Sequence, residues 1–249
     1  MKPSKHYSRT PLTEAVIEVK IEPKDDLVLA DLENAFTSVK ELYSKREELY
    51  TGEFQVPLEK KVNLKVNATQ SHVGYQFTNT DGKQIFQSRL DGFSFSRLAP
   101  YERWETFSAE AHKLWNLYRS LVQPKFFTRV GVRYISKLDL PLPFNDFSEY
   151  LLTLPVVSPK LPQGLNKYVM QLEIPKDELL SLITLTEVML PFTEPDAKTV
   201  SIILDIDVGR TQELENGETW LWNFFEELRI CKNEIFEESI TDKMRSLIE

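Results

Sequence analysis

The chain has 249 residues, of which 41% are hydrophobic and 27% are charged. This balance is typical of a soluble globular protein and excludes a disordered or fibrous one. The 30 Lys and Arg against 38 Asp and Glu give a net charge of -8, which argues against a protein that coats DNA. The single cysteine excludes an internal disulfide and a four-cysteine zinc site. The low number of glycines, eight, disfavours glycine-rich phosphate-binding loops.

The first predicted element is a half-buried strand over Ala15–Glu22, where apolar and polar residues alternate. Pro23 ends it, and apolar residues at three- and four-residue steps predict an amphipathic helix over Leu27–Tyr50. Alternating patterns and two Asp-Gly turns then predict an antiparallel meander of four strands. The predicted strands are Lys61–Ala68, Val73–Phe77, Lys83–Leu90 and Phe93–Leu98.

A second helix is predicted from Pro100 to Leu121, followed by a strand over Phe126–Lys137. Prolines crowd residues 142–165, where Asp146–Leu152 is compatible with a short helix. Three more strands and a long helix from Glu218 complete the pattern, with Thr241 capping a last turn. These strands are Lys167–Ile174, Leu180–Leu190 and Thr199–Val208.

This order predicts an α+β fold: an antiparallel sheet with long amphipathic helices packed on one face, in two similar β-then-α halves. Residues 1–141 form the N-terminal half, 142–165 the Pro-rich connector and 166–249 the C-terminal half, with one continuous domain as the alternative. The predicted core contains Ile17, Val19, Phe36, Leu64, Phe77, Trp104, Trp115, Val132, Tyr134, Ile206 and Leu228.

The strand over Phe126–Lys137 carries the main candidate site. Its polar face presents Arg129, Gly131, Arg133 and Lys137. Two arginines on either side of a glycine could hold an anionic group close to the backbone. The first strand adds three candidates of alternating charge: Glu18, Lys20 and Glu22. The structural alternative is that the arginines pair with acidic residues of neighbouring strands, so that the face is an ordinary solvated sheet surface.

Catalytic and metal-binding patterns are weak in this sequence. No Walker loop, dinucleotide fingerprint, Gly-x-Ser-x-Gly turn or His-Glu-x-x-His pair occurs. We therefore predict no catalytic residue and no cofactor. Asp205 and Asp207, two residues apart on one strand, are the candidates for a divalent cation.

Three sequence blocks resemble a sporadically distributed, uncharacterised prokaryotic protein family of similar length. The blocks are Thr10–Val19 (TPLTEAVIEV), Phe95–Trp104 with Arg129–Ile135 (RVGVRYI), and Phe236–Thr241 (FEESIT). The resemblance covers nearly the whole chain but implies no established activity. The patchy distribution of the family is what mobile or defence-associated genes show.

The favoured function is a non-enzymatic binding or adaptor protein, associated with a defence or toxin–antitoxin system. One alternative is an enzyme acting on a nucleotide or phosphorylated substrate at the charged sheet face. Glu18, Lys20 and Glu22 resemble the Glu-x-Glu-x-Lys signature of triphosphate-tunnel enzymes, with the lysine in the middle position instead. A second alternative is a chaperone-like protein that binds an extended peptide at a sheet edge.

The expected partner is another protein, not nucleic acid and not a membrane. The N-terminal residues lack the apolar stretch of a secretory signal, and the longest apolar runs are far shorter than a membrane span, so we expect a cytoplasmic location. Open sheet edges also suggest a homodimer, because a second copy can cover them.

Overall fold

The structure is a computed structural model that describes residues 7–55, 67–191, 197–214 and 217–249. These residues form nine strands and four α-helices. The strands are β1 Leu12–Glu22, β2 Lys45–Gln55, β3 Asn67–Thr78, β4 Gln84–Arg89, β5 Gly92–Leu98, β6 Phe126–Pro141, β7 Val169–Lys176, β8 Ser181–Met189 and β9 Thr199–Leu214. The helices are α1 Leu29–Val39, α2 Trp104–Val122, α3 Glu218–Ser239 and α4 Asp242–Ile248. The predicted α+β class with an antiparallel sheet is confirmed.

All nine strands belong to one open sheet in the order β2-β3-β4-β5-β1-β6-β9-β8-β7. Each neighbouring pair is antiparallel. β1 and β6 are far apart in sequence but pair at the centre of the sheet, where Ile17 lies opposite Val132. β9 pairs with the other edge of β6, so the sheet continues from the N-terminal into the C-terminal part of the chain.

The two faces of the central strands differ in chemistry because successive side chains of a strand point to opposite sides. One face carries Ile17, Val132 and Ile206, all at most 1% exposed. We call it the core face. The opposite face carries Glu18 of β1 and Asp207 of β9, which lie on either side of β6. We call it the charged face.

Helix α2 packs on the core face through aromatic side chains. The Trp115 ring lies with its centroid 5.6 Å from that of Phe93 on β5 and 5.6 Å from that of Phe127 on β6. Trp115 is 1% exposed. These contacts join the helix to both strands that flank β1, so α2 helps to fix the centre of the sheet.

Most of the predicted core is buried. The buried members are Ile17, Val19, Phe77, Trp115, Val132, Tyr134, Ile206 and Leu228. Trp104 is half-buried and packs against the core from its edge. The Phe36 side chain and Leu64 lie outside the described part of the chain.

The predicted helix over Leu27–Tyr50 is wrong in its second half. α1 ends near Val39, whose carbonyl accepts a hydrogen bond from Tyr43 N, and the chain becomes β2 from Lys45. β2 pairs along its length with β3. The pairing satisfies backbone groups that a longer helix would have satisfied internally, so tertiary context overrides the local helical spacing.

The last three strands of the predicted meander are confirmed, but its first predicted strand boundary is wrong, because Asn67 and Ala68 belong to β3 together with Val73–Phe77. Val73–Phe77 lies within β3, and β4 and β5 match the next two predicted strands. Gly82 in the turn between β3 and β4 has φ 71°, the conformation for which the Asp-Gly pair was assigned to a turn. Most of the predicted strand Lys61–Ala68 lies outside the described residues.

The segment 142–165 contacts the end of α3. The short helix predicted over Asp146–Leu152 is a single 3-10 turn, Phe147–Glu149, capped by the Asp146 side chain. Leu152 N donates to the carbonyl of Ser239, and Thr241 N donates to that of Tyr150. Thr241 also caps α4, as predicted.

α2 begins at Trp104, later than the predicted Pro100, because Arg103 is still extended.

Candidate functional site

The basic side chains of β6 lie on the charged face, and glycines lie next to them. Gly131 on β6 lies between Glu18 on β1 and Gly209 on β9. A Cβ atom at Gly131 would come within 2.6 Å of Arg129 Nη1, and one at Gly209 within 2.9 Å of Arg129 Nη2. The two glycines therefore leave the space that the Arg129 guanidinium fills.

Arg129 joins three strands through ion pairs. Its Nη1 donates to Glu18 Oε2 on β1, and its Nη2 lies 2.6 Å from Asp207 Oδ1 on β9. The three side chains are between 19% and 31% exposed. Burial raises the pKa of Asp207, and the positive charge of Arg129 opposes that shift. The arginine thus stabilises two partly desolvated carboxylates at once.

Arg133 forms a separate pair with Asp205. Arg133 Nε lies 2.9 Å from Asp205 Oδ1, and Nη2 lies 2.5 Å from Oδ2, which is the bidentate geometry of arginine with a carboxylate. The hydrogen bonds to Asp205 raise the pKa of Arg133. Arg133 is 50% exposed, whereas Asp205 is 14% exposed.

The two metal candidates are therefore bound to different arginines. Asp205 pairs with Arg133, and Asp207 pairs with Arg129. Within residues 7–55, 67–191, 197–214 and 217–249, no group of three or more His, Cys, Asp or Glu could hold a metal ion. Each aspartate thus neutralises the charge of one arginine.

The remaining predicted residues do not join this cluster. Lys137 Nζ pairs with Asp139, 3.1 Å away on the same strand. Glu22 is exposed near the far end of β1, and Lys20 lies opposite Arg129 in the strand register. The structure therefore brings together Glu18, Arg129, Gly131 and Asp207 and pairs Arg133 with Asp205. Lys20, Glu22 and Lys137 lie outside these two groups.

A large cleft opens on the other side of the sheet, above the core face. Its volume is about 1480 Å³. The start of β1, the middle of β6, the first turn of α2, the second half of α3 and α4 all contribute to it. Its lining includes Tyr101, Trp104, Tyr134, Ser136, Arg229, Lys232, Phe236 and Arg245.

Five aromatic side chains of the described residues line the cleft: Tyr7, Tyr101, Trp104, Tyr134 and Phe236. The hydroxyl oxygens of Tyr101 and Tyr134 are 3.5 Å apart. Burial raises the pKa of Tyr101 to about 12 and that of Tyr134 well above its ordinary value. Both phenols therefore stay neutral at physiological pH. The Trp104 ring packs edge-on against Phe107, which holds it at the start of α2.

Lys232 presents an amine to this aromatic surface. Its Nζ lies 3.9 Å from the centroid of the Tyr134 ring. Burial, together with the charge of Arg229, lowers the pKa of Lys232 to about 7, while Glu237 acts in the opposite sense. Among the described residues, no carboxylate lies within ion-pair distance of Lys232 Nζ and no hydrogen bond to it is formed.

The neighbouring arginines of the cleft differ from Lys232 in this respect. Arg229 binds Glu226 through Nε at 3.1 Å from both carboxylate oxygens, and its guanidinium lies 5.6 Å from the Trp104 ring centroid. Arg245 Nε lies 2.9 Å from Glu237. Lys232 has no acidic partner among the described residues, in contrast to Arg229 and Arg245.

The rim of the cleft is acidic. Glu105, Glu234 and Glu238 are exposed there, and the Asp242 side chain is fully exposed while it pairs with Arg245. The entrance therefore favours neutral or cationic groups over anions.

Sequence reasoning missed this cleft, although one signal was present. Lys232 is four residues after Leu228 and four before Phe236, so it lies within the apolar stripe of α3. A lysine at such a position marks a cation on the buried side of a helix. The opposing Tyr134 could not be assigned to it, because the packing of α3 against β6 depends on the fold.

Comparisons of this chain with protein-family models, with curated proteins and with solved structures gave no match. In the described residues, no helix is long and apolar enough to cross a membrane.

Proposed function

We propose that this chain is a non-enzymatic binding protein that receives a segment of a partner protein in the cleft above the core face. The observation that carries the proposal is the size and lining of the cleft. Its volume of about 1480 Å³ exceeds the about 300–1,000 Å³ typical of small-molecule pockets. Its lining combines aromatic side chains such as Tyr101, Trp104 and Phe236 with charged ones that include Arg229 and Arg245. Tryptophan, tyrosine and arginine are the residues that most often serve as energetic anchors of protein interfaces.

The charges on the two sides of the sheet support the same choice of surface. On the charged face, Arg129 and Arg133 already bind Glu18, Asp207 and Asp205. A partner there would have to displace existing ion pairs. In the cleft, a ligand can pack against the aromatic surface around Tyr134 and form a hydrogen bond with the Lys232 amine without displacing an ion pair.

Quantitative capture from a lysate tests this proposal when it is done with matched variants. Trp104→Ala removes an aromatic wall of the cleft, whereas Arg133→Gln changes a half-exposed residue of the charged face. We expect Trp104→Ala to lose the captured protein and Arg133→Gln to retain it. Loss with Arg133→Gln alone would place the partner on the charged face and contradict the proposal.

A chaperone-like function at a sheet edge is a second candidate. β7 is an outermost strand, and its Val169 and Ile174 are 64% and 42% exposed. Such an edge can add an extended peptide as a further strand. Pro175 and Glu173 act against it, because proline and charge blunt the pairing of edge strands. Binding of an extended apolar peptide that Val169→Lys abolishes would favour this candidate.

The enzyme alternative remains a proposal about the charged face. A thermal-shift screen with nucleotides and divalent metals tests it, and stabilisation by a nucleotide that requires metal would support it. The defence or toxin–antitoxin setting, the family resemblance and the cytoplasmic location are likewise proposals. Co-purification of the product of a neighbouring gene would support the first of them.

The two similar halves and the homodimer also remain proposals. β1 neighbours β5, and β6 neighbours β9, so two units that begin at β1 and at β6 each contribute their first strand to the centre of the sheet. In this division β6 (Phe126–Pro141) belongs to the second unit and not to residues 1–141. This arrangement supports two related halves with amphipathic helices on the core face. A solution scattering mass of 29.0 kDa at all concentrations would contradict the homodimer.

A further inference from the structure

We propose that Lys232 is a nucleophilic amine that forms an imine with a carbonyl compound bound in the cleft. This activity goes beyond the capture of a partner segment and does not depend on it. The proposal rests on where the amine lies, on the groups around it and on the access that the cleft provides.

The position of the amine combines access with a lack of partners. Lys232 lines a cleft that opens to solvent, so a small molecule can reach it. Its Nζ lies over the face of Tyr134, 3.9 Å from the ring centroid. No carboxylate of the described residues pairs with it, whereas Arg229 and Arg245 in the same cleft are both paired. Nothing in the described chain thus occupies the amine.

Burial and a neighbouring positive charge keep a fraction of the Lys232 amines neutral at physiological pH. Burial and the nearby Arg229 lower the pKa of Lys232 to about 7, and Glu237 opposes this shift. From other elements, Tyr134 of β6, Glu105 of α2 and Arg245 of α4 line the same cleft. Only the neutral amine has the electron pair that attacks a carbonyl carbon, and a lowered pKa is how buried lysines become nucleophiles.

The reaction is balanced without an oxidant or a reductant. The Nζ electron pair attacks the carbonyl carbon while the electrons of the C=O double bond move to oxygen. Transfer of a proton from nitrogen to oxygen gives a carbinolamine. Loss of its oxygen as water leaves the C=N double bond, so that amine and carbonyl compound become imine and water.

The lining of the cleft indicates the class of carbonyl compound. Tyr101, Trp104 and Phe236 provide surfaces on which an aromatic body can pack. Exposed Glu234 and Glu238 at the rim repel an anion that approaches the amine. An uncharged aromatic aldehyde fits both features.

Reductive trapping of the intact protein tests the proposal. Benzaldehyde and sodium cyanoborohydride convert an imine into a stable benzylamine, which mass spectrometry of peptides can place on one lysine. Lys113 on α2 is a matched control in another helix, with an exposed side chain. At pH 7 we expect Lys232 to react at least about tenfold faster than Lys113, because about half of an amine with a pKa of about 7 is neutral at that pH, against well under 1% of a lysine with the ordinary pKa of about 10.4.

The dependence on pH and on charge completes the test. We expect the rate at Lys232 to rise through pH 7, and 4-carboxybenzaldehyde to react more slowly than benzaldehyde. Because the adducts are located in the unmodified sequence, the result does not depend on the folding of a variant. Equal rates at Lys232 and Lys113, or no adduct at Lys232, would overturn the proposal. Faster reaction with 4-carboxybenzaldehyde would overturn the assignment to an uncharged ligand.

Discussion

Arg129 and Lys232, two cations on opposite faces of the sheet, differ in whether the fold gives them an acidic partner. On the charged face, Arg129 lies between Glu18 and Asp207, which neighbouring strands bring to either side of it. In the cleft above the core face, Lys232 lies against the ring of Tyr134 with no acidic partner among the described residues. A basic residue in a sequence therefore marks a binding site only when the fold leaves it without an internal partner. The predictions below test this difference.

The largest effect is expected at the packing of α2, which holds the core face in place. Trp115 is 1% exposed between Phe93 and Phe127, so Trp115→Ala should lower the free energy of unfolding by about 3–5 kcal/mol. Trp104→Ala, at the half-buried wall of the cleft, should cost clearly less. Denaturant unfolding of both variants measures the difference. Equal losses would mean that the cleft wall is as tightly packed as the core.

On the charged face, Arg129 should matter more for stability than Arg133. Arg129→Gln leaves Glu18 and Asp207 partly buried without their cation, and we expect a loss of about 2 kcal/mol after allowance for their solvent exposure. Arg133→Gln should cost less than about 1 kcal/mol because that side chain is 50% exposed. Urea unfolding of the single variants measures both values, and a neutral Arg129→Gln would show that the face is merely solvated.

The core face also contains an acid without a cation, which is the counterpart of Lys232. Glu187 is 0% exposed, Tyr168 donates a hydrogen bond to it at 3.3 Å, and burial raises its pKa to about 7. A raised folded-state pKa means that its proton stabilises the fold fully below about pH 4.5, and that this contribution is lost as the pH rises through 7. Glu187→Gln should remove this loss, on the order of 2 kcal/mol between pH 5 and 8. Thermal unfolding across this pH range would contradict the account if both proteins had the same pH dependence.

Replacing Lys232 should have the smallest effect on the free energy of unfolding and, unlike the substitutions of Trp115 and Arg129, should raise it. Its folded-state pKa is lowered to about 7, so the charged amine destabilises the fold at and below that pH, and the penalty disappears as the pH rises toward about 10. We expect Lys232→Met to be more stable than the natural protein by about 1 kcal/mol at pH 6, with the difference shrinking at higher pH. A destabilised variant at pH 6 would show that the amine has an internal partner.

The sequence was informative wherever one strand or helix decides the outcome. The alternation in β1 and β6 predicted that the side chains of Ile17, Val132 and Tyr134 are buried. It did not predict that Arg129 meets Asp207, because that contact depends on the register between β6 and β9. The alternative, in which the arginines pair with acidic residues of neighbouring strands, describes Arg129 and Arg133 correctly. β2 was misassigned because its identity as a strand comes from pairing with β3 and not from its own pattern.

The cleft needed information that no single segment contains. Tyr134, Trp104 and Lys232 come from β6, α2 and α3, and each alone has an ordinary interpretation as core, helix start or solvated charge. Their meeting depends on the gap that α2 and α3 leave above the core face. Only the lysine within the apolar stripe of α3 hinted at it.

Hydrogen exchange of the chain with and without its captured partner tests the central claim most directly, because it locates the bound surface. The account predicts slower exchange in the first turn of α2 and in residues 226–238 of α3, which line the cleft. Exchange in β7, at the edge of the sheet, should remain unchanged. Protection confined to β7, with α2 and α3 unaffected, would contradict the assignment of the cleft as the binding site.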